Sequence, residues 1–194
     1  MAKSRLLPTG MLTCYFMRHF AIDDNYHGVI YGAQDIALKK PIEADYDYYQ
    51  KTLSSCEMAF ISPMRRVRDS FDFLGLPIAP MIINDLREQN FGWLENQTWD
   101  NIALEYPEFH HAFWRNLTTH PIYQGESITQ FCQRVATAMK KIKTYAYHHK
   151  LSHILILSHA GTMRAVKAYI DGDMNKAMAL HWDYGEIMQI NIQA

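Results

Sequence analysis

Cys14-Tyr15-Phe16-Met17-Arg18-His19-Phe20 is the stretch on which the interpretation of the whole chain depends. Its apolar residues are typical of a buried strand, and the run ends abruptly at Arg18 and His19. In open α/β sheets, ligands bind just beyond the carboxyl ends of the strands. A guanidinium beside an imidazole at such a place can hold a phosphate group and attack it, so we expect a site where this strand ends.

Two further apolar runs end in polar residues of the same kinds. Residues 58–61 are followed by Ser62-Pro63-Met64-Arg65-Arg66, and residues 153–158 are followed by His159. If these strands lie side by side and parallel, two histidines and at least one further arginine meet at one edge of the sheet. The helix predicted after His159 would offer backbone N–H groups to the same anion.

Helical patterns alternate with the strands. The first helix is predicted at 43–56, and the second runs from Ser62 as its N-cap to Leu74. Helical pieces within 98–118 are broken at Pro107. A helix of about 20 residues follows the N-cap Ser127, and the last helix is predicted at 159–170. Short strands are predicted at 78–83, where Pro80 favours a sheet edge, and at 186–192. This alternation predicts an α/β fold, a three-layer α/β/α sandwich with a mostly parallel central sheet.

The chain as a whole, residues 1–194, is predicted to form a single domain. Residues of about 93–124, rich in Trp and Phe, are predicted to be a helical cap-like insertion that covers the pocket. The 48% hydrophobic and 20% charged content permits a substantial core. A net charge of -1 argues against a nucleic-acid partner.

The cysteines and the apolar pattern bear on the compartment. Cys14, Cys56 and Cys132 are far apart in the chain and odd in number, which favours reduced thiols. No apolar run approaches the length of a membrane span, and no signal peptide is recognised at the N-terminus. We therefore expect a cytoplasmic protein without a membrane partner.

Several short motifs resemble, in the same order, those of the histidine phosphatase superfamily, which includes the phosphoglycerate mutases. The matching residues are Arg18-His19-Phe20, Asn25, Gly32-Ala33-Gln34-Asp35-Ile36-Ala37-Leu38, Ser62-Pro63-Met64-Arg65-Arg66-Val67, 86–95, Gly125-Glu126-Ser127 and Ser158-His159-Ala160-Gly161. The resemblance extends from about residue 12 to the last strand. It implies a phosphoglycerate mutase-like fold and is closest in type to the small α-ribazole phosphatases.

The resemblance also implies catalytic roles. His19 would be the nucleophile that becomes phosphorylated, and Arg18, Arg66 and His159 would bind the phosphoryl group and its transition state. Glu88 would donate a proton to the leaving oxygen and later accept one from the attacking water. The implied reaction is the hydrolysis of a small phosphomonoester through a phosphohistidine intermediate.

Two further residues, Asn25 and Ala160, are candidates for contacts with the substrate. No cofactor and no metal are expected, because the two arginines supply the positive charge. His110-His111 and His148-His149 do not suggest a metal site, since adjacent histidines on a helix point apart and no further ligands complete a set. The expected partner is a small-molecule substrate, and a homodimer is left open.

Some departures from the family pattern leave alternatives open. Phe20 stands where the family has glycine, and Val29 stands near a position that is often arginine. A bulky residue beside the nucleophile is expected to shift the backbone or narrow the pocket, which would change substrate choice or slow turnover. The alternatives are a phosphoglycerate mutase-type transfer, for which the chain lacks the usual longer insertion, and a weakened member that only binds phosphorylated ligands.

Overall fold

The computed structural model describes residues 10–193, except for the side chain of Asn175. Its helices and strands alternate along the chain as predicted. In chain order they are β1 Met11–Arg18, α1 Tyr46–Leu53, β2 Met58–Ile61, α2 Arg65–Leu74, β3 Pro80–Ile82, α3 Trp99–Glu105, α4 Pro107–Arg115, α5 Ile128–His148, β4 His153–Ser158, α6 Ala160–Asp171, α7 Met174–Met178 and β5 Ile187–Gln193.

The strands form one sheet in the order β3-β2-β4-β1-β5. The first four strands are parallel, and β5 pairs antiparallel with β1. Leu157 of β4 is in register with Met17 of β1 and with Ile61 of β2. Because the three strands therefore end at the same level, the polar residues that follow them lie together at one edge of the sheet.

Alternating strand residues face two separate cores. Cys14 and Phe16 of β1 pack with α5 and α6 on one face of the sheet. Tyr15 and Met17 pack with residues of α1 and α2 on the other face. Helices therefore cover both faces, and the predicted three-layer α/β fold with a mostly parallel sheet is confirmed.

Residues around α3 and α4 form a smaller apolar cluster of their own. Its buried members are Ile30, Leu94, Ile102, Phe113 and Ile122. The break that was predicted at Pro107 lies between the two helices, where Pro107 opens α4. The single-domain assignment and the function of this segment as a cap stay predictions. Within residues 10–193, no helix combines the length and apolar character needed to cross a bilayer.

The start of α2 differs from the prediction. The helix begins at Arg65 with Met64 in the N-cap position, and the Asp35 carboxylate accepts from the Arg65 N–H, so Ser62 is not its N-cap. Instead, the Ser62 hydroxyl lies 2.8 Å from Nε2 of His159, a buried tertiary partner. The predicted end is confirmed, because Gly75 follows the helix with a left-handed φ of 57°. The Ser127 N-cap of α5 is also confirmed, as a capping box with Gln130.

Candidate active site

His19 follows the last residue of β1, and its side chain is 2% exposed. Its Nδ1 lies 2.7 Å from the carbonyl oxygen of Phe20. A carbonyl only accepts, so Nδ1 carries the hydrogen and Nε2 keeps a free lone pair. Burial, and next the charge of Arg66, hold the pKa of His19 well below its usual 6.5. The imidazole is therefore neutral at pH 7, which is the state a nucleophile requires.

The second predicted histidine, His159, lies beside the first, with 5.3 Å between the ring centroids. Arg66 Nε donates to its Nδ1 over 3.2 Å, so Nε2 carries the hydrogen and donates to the Ser62 hydroxyl. Burial, and next the Arg66 charge, also hold the pKa of His159 well below 6.5. Both ring nitrogens are thus hydrogen-bonded within the protein.

Arg66, in the first turn of α2, is fully buried. Its Nη1 donates to the Gln34 carbonyl at 2.6 Å, and its Nη2 donates to the Gly32 carbonyl at 2.9 Å. Burial lowers the pKa of Arg66, but a guanidinium keeps its charge in proteins. These bonds, with the one to His159, leave one N–H on each terminal nitrogen for an anion.

Arg18 supplies the second guanidinium. Its Nη1 donates to the Trp182 carbonyl, and the Tyr184 ring lies 3.7 Å from its Cζ. Its Nε is buried and has no hydrogen-bond partner in the described part of the chain. The Tyr184 hydroxyl is 2.9 Å from that of Tyr31, across the same region. Arg18 is therefore held by aromatic and backbone contacts and still offers N–H groups to a ligand.

Glu88 faces the same cavity from the segment between β3 and α3. Its Oε1 accepts from the Gln89 N–H and its Oε2 from the Gly161 N–H, both at 2.9 Å. A Cβ on Gly161 would stand only 2.3 Å from Oε1, so the contact needs glycine there. The N–H of Gly161 in the first turn of α6 therefore holds the Glu88 carboxylate, whereas this helix N-terminus was expected to hold the phosphate of the substrate.

Arg134 of α5 fixes the backbone that carries Glu88. Its Nη1 donates to the carbonyls of Asp85 and Arg87, at 2.8 and 3.1 Å, and its Nη2 lies 3.3 Å from the Glu88 carbonyl. The same guanidinium pairs with Glu126, whose carboxylate also accepts from the Asn90 N–H at 2.9 Å. Glu126, in the Gly125-Glu126-Ser127 motif, therefore orders this segment.

A cavity of about 500 Å³ opens where these groups meet. Arg18, His19, Arg66 and Glu88 line it, and so does Ala160. His159 lies behind His19 and does not line it. Asn25 is not brought to the cavity, because it sits exposed in the turn Asp24–Tyr26, where its N–H bonds the Asp23 carboxylate.

Phe20 points away from this cavity. Its ring is 4% exposed and packs edge-to-face against Tyr49 and Phe73, each with centroids 5.1 Å apart. It borders a separate cavity of about 310 Å³ that contains none of the predicted catalytic residues. The expectation that Phe20 narrows the pocket is therefore wrong, because the chain has left β1 at Arg18 and the Phe20 side chain packs into the core formed with α1 and α2.

Several residues that shape the site were not predicted from the sequence. Tyr184 and Trp182 hold Arg18, and Tyr31 borders the cavity. Tyr184 and Trp182 lie in the irregular segment before β5, where no periodic pattern marks them. Arg134 had a detectable signal, since it lies within the helix that follows the Gly125-Glu126-Ser127 motif.

Comparison with known proteins agrees with the fold. "Putative phosphoserine phosphatase 2" of Hydrogenobacter thermophilus is 23% identical over 188 residues, which cover 94% of this chain and 91% of that protein. The α-ribazole phosphatase of Shigella flexneri has the same fold, with a TM-score of 0.75, 21% identity, and 92% and 89% of the two chains covered. A phosphoglycerate mutase of Bacillus anthracis also has this fold, with a TM-score of 0.78 and 18% identity, and the match covers 95% of this chain and 89% of that one.

The sequence profile of a protein family matches residues 14–194, which include every candidate catalytic residue. That range covers the sheet, both flanking helical layers and the cavity. The chain belongs to the histidine phosphatase superfamily, branch 1.

Proposed function

We propose that the protein is a metal-independent phosphomonoester hydrolase that works through a phosphohistidine at His19. The observation that carries the proposal is the state of that imidazole. Its Nδ1–H is held by the Phe20 carbonyl and its ring is neutral, so Nε2 is free to attack. Two guanidiniums, of Arg18 and Arg66, line the same cavity and can neutralise the transferred phosphoryl group.

The reaction has two displacements. In the first, Nε2 of His19 forms a bond to phosphorus while the bond between phosphorus and the ester oxygen breaks, and a protonated Glu88 gives its proton to that oxygen. In the second, the Glu88 carboxylate takes a proton from water, the water oxygen bonds to phosphorus, and the P–N bond breaks. Inorganic phosphate leaves, and both His19 and Glu88 return to their starting states.

His159 contacts two of the catalytic groups, His19 and Arg66, without lining the cavity. Its neutral ring contacts His19 and accepts from Arg66. We assign it the role of orienting the nucleophile and the Arg66 guanidinium.

The test is a phosphatase assay that is combined with trapping of the intermediate. Wild type is incubated with a ³²P-labelled phosphomonoester and denatured, and acid-labile label on the protein is measured. We expect label on wild type, and for His19→Ala no label and a loss of kcat of about 1,000-fold or more. His148→Ala, at an exposed position on α5, is the matched control and should keep the label and the kcat of wild type. Turnover without label, or label that persists in His19→Ala, contradicts the mechanism.

The substrate panel follows from the comparisons. It contains phosphoserine and α-ribazole 5′-phosphate, which the names of the similar proteins suggest, and 3-phosphoglycerate for the mutase alternative. Conversion of 3-phosphoglycerate without release of phosphate would favour the mutase. The third alternative, a weakened member that only binds, rested on Phe20, whose side chain lies outside the cavity.

A further inference from the structure

The cavity continues beyond the phosphate-binding end as an apolar chamber. The side chains that form it come from the 28–32 loop, the segment before α3, the two short helices and the residues that follow them. Its apolar wall includes Val29, Phe91, Trp99, Phe113, Trp114 and Leu117. We propose that the alcohol part of the substrate is a large, flat, apolar group, an aromatic ring system in particular. This inference rests on the proposed function and names its substrate class.

The charges of the chamber support this assignment. Among the described residues that line it, Arg18, Arg66 and Glu88 belong to the phosphate end, and Arg164 is the remaining charged side chain. The Nε of Arg164 donates to the Leu180 carbonyl at 2.7 Å, and its positive charge would repel an ammonium group in the chamber. An amino acid ester such as phosphoserine would bring an ammonium group, and Glu88, which is the acidic side chain among the described lining residues, is already assigned to the proton transfer at the ester oxygen.

The aromatic wall is already arranged for a flat ring. Trp99, Phe113 and Trp114 contact one another, with ring centroids 5.0 to 5.5 Å apart. Trp114 is 49% exposed, and its Nε1–H is satisfied by His110 at 2.8 Å. An apolar group that enters the chamber would therefore cover exposed indole surface without taking a bond from a polar group, which favours binding.

The test compares esters of primary alcohols, so that the leaving oxygen has the same chemistry throughout. We expect kcat/KM for 2-(1-naphthyl)ethyl phosphate to exceed that for ethyl phosphate by about 30-fold or more, from the apolar area that the ring buries. The kcat/KM for phosphoserine is expected to be close to that for ethyl phosphate. If phosphoserine or ethyl phosphate is hydrolysed as well as the naphthyl ester, the inference is overturned while the proposed function stands.

Binding of the matching non-hydrolysable phosphonates, measured by calorimetry on wild type, decides the inference even if no ester is turned over. The naphthylethyl phosphonate should bind about 30-fold more tightly than ethyl phosphonate. Equal affinities overturn the inference. If no ester is turned over but the 30-fold ratio of the phosphonate affinities is found, the proposed hydrolysis is refuted and the inference about the chamber stands.

Two variants separate contact with the ring from damage to the helical segment. Trp114→Ala should reduce the naphthyl-to-ethyl ratio of kcat/KM by about tenfold. Tyr106→Ala is the matched control, because Tyr106 is 45% exposed in the same segment, packs on Trp93 and does not line the cavity. An equal fall of the ratio in both variants, or no fall in Trp114→Ala, contradicts the inference.

Discussion

At the scale of single residues, the chemistry depends on two buried imidazoles that remain neutral. His19 and His159 lie beside each other and beside Arg66, and burial is the main cause of both lowered pKa values. A buried cation next to another cation would have little solvation to compensate for the repulsion. The same environment that keeps the His19 lone pair available therefore makes the fold sensitive to acid.

The first prediction concerns this sensitivity. Below about pH 6.5 the unfolded chain binds a proton at each of these histidines, whereas the native protein does not. The free energy of unfolding should therefore fall as pH drops from 7 to 5, with a slope that approaches about 1.4 kcal/mol per pH unit for each histidine once the pH is below 6.5. Urea denaturation of wild type and His159→Gln at several pH values measures this dependence. In the variant, the slope of the unfolding free energy against pH should be smaller by the contribution of one histidine. The exposed His148→Gln should keep the wild-type slope, and an unchanged slope in His159→Gln contradicts the assignment.

Gly161 supports a second prediction at this scale. In Gly161→Ala the new Cβ would stand 2.3 Å from Oε1 of Glu88, so the carboxyl group must move. Alanine is itself favourable in a helix, so thermal stability should change little. We expect kcat for ethyl phosphate to fall about tenfold or more, and kcat for p-nitrophenyl phosphate, whose leaving group needs no proton, to fall less.

Glu88→Gln should show the same dependence on the leaving group. If both esters slow equally in Gly161→Ala, the acid role of Glu88 is not supported.

At the scale of elements, α5 connects the sheet to the segment that carries Glu88. Arg134 reaches from this helix to carbonyls of that segment and to Glu126 in the loop before the helix. The helix was foreseen from its periodicity and its Ser127 cap, because both are local signals. Its contact with the Glu88 segment was not foreseen, since it joins residues 46–49 positions apart.

Arg134→Met tests whether this contact positions Glu88. We expect kcat for ethyl phosphate to fall about tenfold or more with a smaller change in KM, and kcat for p-nitrophenyl phosphate to fall less. Lys141→Met is the control on the same helix. Lys141 bonds the Asp85 carboxylate at 3.1 Å but is 64% exposed, and such surface pairs contribute about 1 kcal/mol or less. An equal loss on both esters would indicate general destabilisation instead of positioning.

At the scale of the whole molecule, stability is divided unequally between the sheet and the segment of α3 and α4. The larger core includes residues of β1, β4 and the long helix α5, whereas the cluster around α3 and α4 contains five buried residues. Segments with little buried apolar area open at lower free energy than the core. The wall of the chamber is therefore built on a part of the fold that is expected to open more easily than the larger core.

Hydrogen exchange tests this division. Amides of α3 and α4 should exchange faster than those of β1 and β4, and naphthylethyl phosphonate should slow the exchange of α3 and α4 more than inorganic phosphate does. Exchange in α3 and α4 as slow as in β4, or equal protection by both ligands, would contradict the division.

The sequence by itself determined the α/β class, the strands that precede Arg18-His19, Ser62 and Ser158-His159, the C-terminal end of α2 and the start of α5, because apolar periodicity and capping are local signals. Only the tertiary structure decided the states and partners of these groups. The Arg66 contact with His159 spans 93 residues and that between Tyr31 and Tyr184 spans 153. Such distant pairings, and the burial that sets the histidine pKa values, exist only once the chain has packed, which is also why the orientation of Phe20 and the role of Ser62 were not foreseen.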